Sequence, residues 1–249
     1  AVGDGITDDT AAIQAAINDS YGYSLYIPDG TYKITANMNV TDTIHIYGDG
    51  ILDCTSMPDG TTLSGRRCLN IYGSTGSTTT LSASITAGSR TLTVASAASL
   101  AVGDYFLLTN DELVVPGIDR PTWKKGELLR VQAISGTTIT VHDSIALDYD
   151  HTQNGVITKL NMVKDVMVEG LTINMGGVGS AHSAVTFYLC ENPVARNLKI
   201  NDAETQGISF AMSSAPIAEY NRIYNCTSPT SLGNMGYGVS LFIGTRYAR

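Results

Sequence analysis

The sequence predicts an all-β fold, a parallel β-helix that carries a short amino-terminal capping helix and a small antiparallel β insertion. Three observations lead to this expectation. The 249 residues include 25 glycines and only 15% charged residues, a composition typical of a folded chain rich in turns. Short apolar strands separated by turn residues recur in the carboxy-terminal part, and one segment alone shows a helical period.

The helical period lies close to the amino terminus. Apolar residues recur there at positions i, i+1, i+4 and i+5, namely Ala12, Ile13, Ala16 and Ile17. Asp8 and Asp9 precede this stripe, and a helix dipole favours acidic residues in the first turn. We therefore predict an amphipathic helix over residues 9–18. Because a stack of strands exposes unpaired edges at its end, this helix is expected to cap the first coil.

Short strands follow the helix. Residues 25–27 and 31–35 flank Pro28-Asp29-Gly30, which are typical turn residues, and further strands are predicted at 43–47 and 69–72. Residues 1–73 are therefore assigned to the capping helix and the first strands of the β-helix.

Residues 74–150 differ from the rest of the chain in their pattern of apolar and polar residues. Alternation of apolar and polar residues, rich in threonine, predicts strands at 90–94, 105–109, 128–133 and 137–141. This pattern favours a small antiparallel β insertion with one face in water. The remaining residues, 151–249, are assigned to further coils of the β-helix.

The coils are predicted from an internal repeat. Strands open at Val156, Val185, Ile208 and Val239, which are 29, 23 and 31 residues apart. The offset of 23 is kept by five pairs: Val185 with Ile208, Phe187 with Phe210, Pro193 with Pro216, Val194 with Ile217, and Ile200 with Ile223. Such units cannot bury an apolar face alone, so they are expected to stack in parallel, about 4.8 Å apart. The extra residues of the longer units, 176–182 and 228–236, are expected to form loops. Because the last unit is incomplete, we expect the chain to be the opening section of a longer solenoid.

The opening segment also resembles a known family. Residues 3–17, GDGITDDTAAIQAAI, followed by residues 25–32, LYIPDGTY, resemble the start of the right-handed β-helices of the pectate lyase superfamily, and are most similar to bacteriophage tailspikes and preneck appendage proteins. The insertion is similar to a module of phage spikes at 102–104 (VGD), 126–128 (GEL) and 137–141. The resemblance implies a homotrimer on the virion tail that binds a bacterial surface polysaccharide and often cleaves it, by hydrolysis or by β-elimination. A fold alone does not establish such an activity.

Charge and cysteine content exclude several other classes. The 15 basic and 23 acidic residues give a net charge of −8, which opposes binding to nucleic acid or to an anionic membrane surface. The sequence contains no run of about 18 apolar residues, so no membrane-spanning helix is predicted. The four cysteines lack the spacing of a zinc site and are expected to be buried apolar residues, with a bridge between Cys54 and Cys68 as the alternative.

Two carboxylates are the minimum for glycoside hydrolysis. Asp202 and Glu204 form the best local pair, because residues two apart in an extended segment point to one face about 6.6 Å apart. We therefore predict Asp202 and Glu204 as the catalytic acid and base. The alternative is that residues 201–204 form a solvated turn between coils.

A polar groove is predicted beside this pair. The repeat places polar residues just before three successive strand openings, and we predict that His182, Gln206, Asn234 and Tyr237 bind sugar hydroxyls. These residues could equally be solvated turn residues. In the insertion, Trp123 lies next to Lys124 and Lys125, and we predict that it stacks on a sugar of an anionic glycan; contact with a neighbouring subunit is the alternative.

Relatives that act by β-elimination use a basic residue, commonly with calcium held by acidic side chains. Arg196 and Glu219 occupy nearly equivalent positions on adjacent coils and are expected to form a surface ion pair. Since no position gathers three or more acids, calcium has no support, and neither a metal nor another cofactor is predicted.

Three functions follow from these observations. The first is a phage tailspike or appendage fragment that binds, and at full length degrades, a capsule, an O-antigen or a teichoic acid. The second is a secreted bacterial polysaccharide lyase or glycoside hydrolase with the same fold. The third is a non-catalytic adhesive or structural spike shaft.

Overall fold

The computed structural model describes residues 1–58, 66–114, 124–176, 183–226, 236–242 and 244–248. The chain divides into two units. One consists of Ala1–Gly73 together with Val163–Arg249, and the other of Ser74–Met162.

Within the described residues the chain forms one α-helix and a series of short strands. In chain order they are β1 (Asp4–Asp8), α1 (Thr10–Asp19), β2 (Ser24–Ile27), β3 (Thr31–Lys33), β4 (Met38–Val40), β5 (His45–Gly48), β6 (Ile51–Asp53), β7 (Arg67–Tyr72), β8 (Ser74–Thr80), β9 (Thr91–Thr93), β10 (Tyr105–Leu113), β11 (Lys124–Ser135), β12 (Thr138–Val141), β13 (Val156–Asn161), β14 (Val163–Lys164), β15 (Met167–Glu169), β16 (Thr172–Asn174), β17 (Ser183–Tyr188), β18 (Cys190–Glu191), β19 (Val194–Arg196), β20 (Lys199–Asn201), β21 (Gln206–Ala211), β22 (Ile217–Glu219), β23 (Arg222–Tyr224) and β24 (Tyr237–Phe242).

The first unit is a β-helix built from three parallel sheets. Sheet A has the order β1-β3-β6-β16-β20-β23, sheet B the order β2-β5-β15-β19-β22, and sheet C the order β4-β7-β17-β21-β24. From β2 onward the chain visits sheets B, A and C in turn, and each round is one coil. A short additional pair, β14 with β18, joins two successive coils at the corner between sheets C and B.

The register of the coils is the one that the repeat predicts. In sheet C, Val185 lies beside Ile208 and Phe187 beside Phe210. The matching pairs in sheets B and A are Val194 with Ile217 and Ile200 with Ile223. The offset of 23 is therefore the length of one coil. The rings of Phe187 and Phe210 stack inside the core with their centroids 5.0 Å apart.

The prediction for Val156 is wrong. This residue opens β13, which pairs antiparallel with β10 and β8 and therefore belongs to the insertion. The strand that lies beside Val185 on the preceding coil is β7, through Leu69. The insertion consequently continues to Met162 rather than ending at residue 150, and the β-helix resumes at Val163. A half-buried antiparallel strand has the same alternation as a coil strand, so the sequence pattern does not separate the two.

The second unit is one antiparallel sheet with the order β8-β13-β10-β11-β12-β9. The four strands predicted in this region are present as β9, β10, β11 and β12. One face of the sheet buries its own apolar cluster, which includes Phe106, Leu108, Val131, Ile139 and Tyr149. This core is separate from that of the β-helix.

The helix α1 joins the β-helix core through Ile13 and Ile17. Its Gln14 side chain also pairs with the first strand of sheet C, because Nε2 donates to the Asn39 carbonyl at 2.8 Å and Oε1 accepts from the Asn39 amide at 2.6 Å. The helix therefore lies against the first coil, as a cap must. The expectation that acids occupy its first turn is wrong, because Asp9 is the N-cap residue and its carboxylate accepts from the amides of Val2 and Gly3 instead.

The insertion interrupts a single corner of the β-helix. Tyr72, at the end of β7, lies beside Tyr188, and Val163 lies beside Cys190 on the next coil. The Gly73 amide donates to the Tyr188 carbonyl and the Val163 amide to the Leu189 carbonyl, both at 3.0 Å. Tyr72 and Val163 are separated by residues 73–162, whereas their neighbours on the next coil, Tyr188 and Cys190, are separated by Leu189 alone.

Cys54, Cys68 and Cys190 are buried, Cys226 is partly buried, and all four are free thiols, so the Cys54–Cys68 bridge is not formed. Burial raises the pKa of the Cys54 thiol well above its ordinary value, which keeps it protonated and unreactive.

Candidate functional site

The outer face of sheet C carries a continuous row of polar side chains. Along each strand the apolar residues point into the core, and the residue between them points outward. Adjacent strands place these outward residues side by side as a polar row: Asn39, Asn70, Thr186, Ser209 and Ser240. Asn70 Nδ2 donates to Asn39 Oδ1 at 3.0 Å, so the row begins as an amide ladder.

A second polar row lies at the start of the same strands and consists of Arg67, Ser183, Gln206 and Tyr237. Cys68 and Leu69 are both buried in the core, so the alternation breaks here and Arg67 shares the outer face with Asn70. Arg67 Nη1 donates to Asn70 Oδ1 at 2.9 Å, and Ser183 Oγ donates to Gln206 Oε1 at 3.0 Å. The first row spans five coils and the second row spans four.

The structure brings two of the predicted binding residues together. Gln206 and Tyr237 lie side by side in sheet C, and Tyr237 is half-exposed. The other three, His182, Asn234 and Trp123, lie outside the described residues. Ser183 occupies the position beside Gln206 on the preceding coil.

Asp202 and Glu204 lie in the turn between β20 and β21, where the chain passes from sheet A to sheet C. The turn is not extended, because Asp202 has a φ of 56°, in the left-handed region. The prediction that the two side chains share one face of an extended segment is therefore wrong. Glu204 is 2% exposed, whereas the Asp202 carboxylate lies nearer the surface and accepts a hydrogen bond from Asn225 Nδ2 at 3.0 Å.

The predicted contact between Arg196 and Glu219 is present on the outer face of sheet B, at 3.7 Å. Arg196 lies closer to Glu169 on the preceding coil, at 2.9 Å. This partner raises the pKa of the guanidinium above its ordinary value. Arg196 therefore remains a cation and is not suited to take a proton from a sugar.

Two hydroxyls of the polar row are buried without a partner. Thr186 Oγ1 and Ser240 Oγ make no hydrogen bond with the described residues, although Thr186 is only 5% exposed and Ser240 9%. Buried polar groups are normally hydrogen-bonded, so these two hydroxyls are exceptions among the described residues.

Sequence reasoning missed Arg67, Asn70 and most of the polar row. The offset of 23 does pair Thr186 with Ser209, and their position between apolar residues marks them as outward-facing. Asn70 also lies between two apolar residues, Leu69 and Ile71, but the insertion separates β7 from β17, so no repeat offset relates Arg67 and Asn70 to the later coils.

Among the described residues, no cluster of three or more histidine, cysteine, aspartate or glutamate side chains has the geometry of a metal site. The one helix in that part of the chain is too short and too polar to cross a bilayer.

Comparison with known proteins agrees with this architecture. The capsule K1-specific depolymerase of Klebsiella phage K64-1 is 27% identical over 174 residues, which are 69% of this chain and 19% of that protein. The mannuronan C5-epimerase AlgE2 of Azotobacter vinelandii is 39% identical over 61 residues, 20% of this chain and 6% of the epimerase. This chain thus spans about a fifth or less of the length of these relatives.

Solved structures show the same fold. The tailspike gp61 of Pseudomonas phage phi297 superposes with a TM-score of 0.74 at 22% identity, over 95% of this chain and 39% of that one. The Gp54 tailspike of Acinetobacter baumannii bacteriophage AP22, solved in complex with a capsular saccharide, superposes with a TM-score of 0.67 at 16% identity, over 97% and 44% of the two chains. The expected right-handed parallel β-helix is confirmed.

A family model described as rhamnogalacturonase A/epimerase, pectate lyase-like, matches residues 1–230. The resemblance drawn from the opening motif is confirmed as well, since this match covers that motif, the insertion and most of the coils. The chain therefore belongs to the rhamnogalacturonase A/epimerase, pectate lyase-like family.

Proposed function

We propose that this chain is part of a phage tailspike whose β-helix binds a bacterial surface polysaccharide and, in the full-length protein, degrades it. The observation that carries the proposal is the polar outer face of sheet C, which offers hydroxyls, amides, a guanidinium and a tyrosine along four successive coils. Hydroxyl and amide groups are suited to the hydroxyls of sugars, and a row along the coil axis suits a polymer. The similarity to a capsule-specific phage depolymerase supports the same assignment.

Asp202 and Glu204 are the proposed catalytic pair. They lie in the turn that leads directly into Gln206, so a polysaccharide on the second polar row would pass beside them. The two carboxylates have different surroundings, because Glu204 is buried while Asp202 is hydrogen-bonded to Asn225 near the surface. Acid and base roles require such a difference between two carboxyl groups.

We further propose a homotrimer on the virion tail. The support comes from the likeness to tailspikes of Pseudomonas and Acinetobacter phages. A secreted polysaccharide lyase or hydrolase and a non-catalytic adhesive shaft are the competing functions.

Activity is tested with the full-length protein and purified capsular, O-antigen and teichoic acid polymers. Release of reducing ends indicates hydrolysis or elimination, and a rise in ultraviolet absorbance from an unsaturated sugar identifies elimination. Binding without either signal would leave an adhesive spike, and no binding to any host polymer would overturn the proposal.

The catalytic assignment is tested with Glu204→Gln and Asp202→Asn. We expect each variant to lower kcat by about a hundredfold or more while binding is retained, because general acid–base catalysis contributes about 10²–10⁴-fold. Glu219→Gln, on the outer face of sheet B, is the matched control and should leave turnover unchanged. Unchanged turnover in Glu204→Gln would remove Glu204 from the mechanism without affecting the fold.

A further inference from the structure

The chain contains one Asn-Gly sequence, formed by Asn154 and Gly155 just before β13 in the insertion. In such a pair the backbone nitrogen of the glycine can attack the asparagine side chain, because glycine has no side chain that hinders a close approach. The side chain of Asn154 is exposed, so it is open to water and to base in solution.

The turn favours both residues of this pair. Asn154 has a φ of 53°, in the left-handed region that asparagine tolerates better than most other non-glycine residues. Gly155 is buried, and a Cβ atom on it would lie 2.7 Å from Leu81 Cδ1 and 3.3 Å from the Cα of His151. Any side chain at position 155 would therefore have to displace a buried leucine. The backbone of the turn thus favours a chemically reactive sequence.

Two hydrogen bonds restrain the groups that would react. Asn154 Nδ2 donates to Asp111 Oδ2, and the same carboxylate pairs through Oδ1 with Lys124. The Gly155 amide donates to the His151 carbonyl at 3.4 Å, which is long for a hydrogen bond. The side-chain amide of Asn154 is therefore held more firmly than the backbone nitrogen that would attack it.

We propose that Asn154 is a site of spontaneous deamidation and that its contact with Asp111 limits the rate. The Gly155 nitrogen loses its proton to a base in solution and forms a bond with Cγ of Asn154. The bond between Cγ and Nδ2 breaks, and the side-chain nitrogen takes up a proton and leaves as ammonia. Water then opens the resulting succinimide ring at either carbonyl, which gives aspartate or isoaspartate at position 154. This modification is independent of polysaccharide binding.

The modified residue would carry a new negative charge beside Asp111. A carboxylate at position 154 cannot donate a hydrogen bond to Asp111, and the two like charges repel each other. The backbone of the turn also contacts two other segments, since the Asp111 amide donates to the Gln153 carbonyl and the Leu81 amide to the Gly155 carbonyl, both at 2.8 Å. Isoaspartate lengthens the main chain and would disturb both bonds. We therefore expect deamidation to destabilise the insertion.

The test incubates the full-length protein at a mildly acidic and at a mildly alkaline pH and follows position 154 by peptide mapping with mass spectrometry. We expect conversion at Asn154 before that at other asparagines, and faster at the higher pH, because the attacking nitrogen must lose its proton. Asp111→Ala should raise the rate about three- to tenfold, the factor expected from the loss of one hydrogen bond. Lys124→Ala is the matched control, because it removes the same ion pair but keeps the contact of Asn154 with Asp111.

Two further variants test the effect on stability. Asn154→Gly fits the left-handed conformation and has no side-chain amide, so it should keep its initial stability throughout the incubation. Asn154→Asp has the charge of the product and should lower the midpoint of thermal unfolding of the insertion by about 4 °C or more.

Asparagine that stays intact at position 154 in both the parent protein and Asp111→Ala would overturn the proposal. Equal rates in these two proteins would overturn the restraint by Asp111. Conversion that is faster in Asp111→Ala than in Lys124→Ala supports both parts.

Discussion

Glu169 lies on the outer face of sheet B, beside Arg196 on the next coil. Its carboxylate accepts two hydrogen bonds from Arg196, from Nε at 3.1 Å and from Nη2 at 2.9 Å. This bidentate contact lowers the pKa of the Glu169 carboxyl below its ordinary value of 4.5, although partial burial opposes the shift. Because the native state holds the ionised form, Glu169 stabilises the fold only while it is charged.

The stability that Glu169 contributes is therefore present above pH 4.5 or so and is lost as the pH falls through its lowered pKa. Glu169→Gln should be less stable than the parent protein at pH 7, and the difference should shrink to nothing at low pH. Urea denaturation at a series of pH values measures this. Glu219→Gln, whose contact with Arg196 is longer and more exposed, is the control and should show a smaller effect. A difference that stays constant with pH would show that the ion pair is not its source.

Asp202 shows why a local site geometry is harder to predict than a repeat. A short segment between strands is expected to be extended, but residue 202 adopts a left-handed conformation. So do Asn192, Asn197 and Asn225, all at corners of the coils. Asparagine and aspartate tolerate this region better than other non-glycine residues, so such residues at a corner predict a sharp turn rather than an extended segment.

Among the elements, the helix α1 covers the edge of sheet C through Gln14. Among the described strands, β4 is the edge strand of sheet C, and an unpaired edge favours association with other chains. Gln14 satisfies both backbone groups of Asn39 at this edge, as a neighbouring strand would.

We expect Gln14→Ala to lower the free energy of unfolding by about 1–3 kcal/mol and to increase aggregation, because two backbone groups of the edge lose their partners. Denaturant unfolding and light scattering measure the two effects. Gln14→Glu keeps the acceptor for the Asn39 amide and loses the donor. Its stability and solubility should therefore lie between those of the parent protein and of Gln14→Ala. If Gln14→Ala is as stable and as soluble as the parent, then Ile13 and Ile17 alone suffice for the cap.

The coils themselves were predictable where they follow one another directly in the chain. Val185 and Ile208 are one coil apart in sequence and in space, so the offset of 23 gave the register of all three sheets. Leu69 and Val185 are also one coil apart in space, but the insertion lies between them. The sequence pattern therefore aligns Val156 with Val185, although Val156 belongs to a strand of the insertion. For this reason the predicted groove does not include Arg67 and Asn70.

At the scale of the whole molecule, the insertion occupies a position that one residue fills on the next coil. Tyr72, Gly73 and Val163 correspond there to Tyr188, Leu189 and Cys190. Leu189 is left-handed, with a φ of 57°, and Gly73 is free to adopt the same conformation.

Deleting residues 74–162 so that Val163 follows Gly73 should therefore leave a folded β-helix. We expect a soluble protein with a β-rich circular dichroism spectrum and a cooperative unfolding transition, because the β-helix core contains no residue of the insertion. The matched control deletes residues 73–162 and so removes the corner residue as well. This shift by one residue turns every inward side chain outward and should prevent folding. Equal behaviour of the two deletions would contradict the register of the corner.

The same corner determines an order of events during folding. The first and last strands of the insertion pair with each other, with Ser74 beside Asn161, so the folded insertion holds its two ends together. Before that pairing forms, bringing β7 onto β17 requires closure of a long flexible loop, which costs entropy and slows the step. Once it forms, the loop is reduced to the length of a turn. We therefore expect the insertion to fold first. By holding Gly73 close to Val163, it then allows the later coils to stack on the earlier ones.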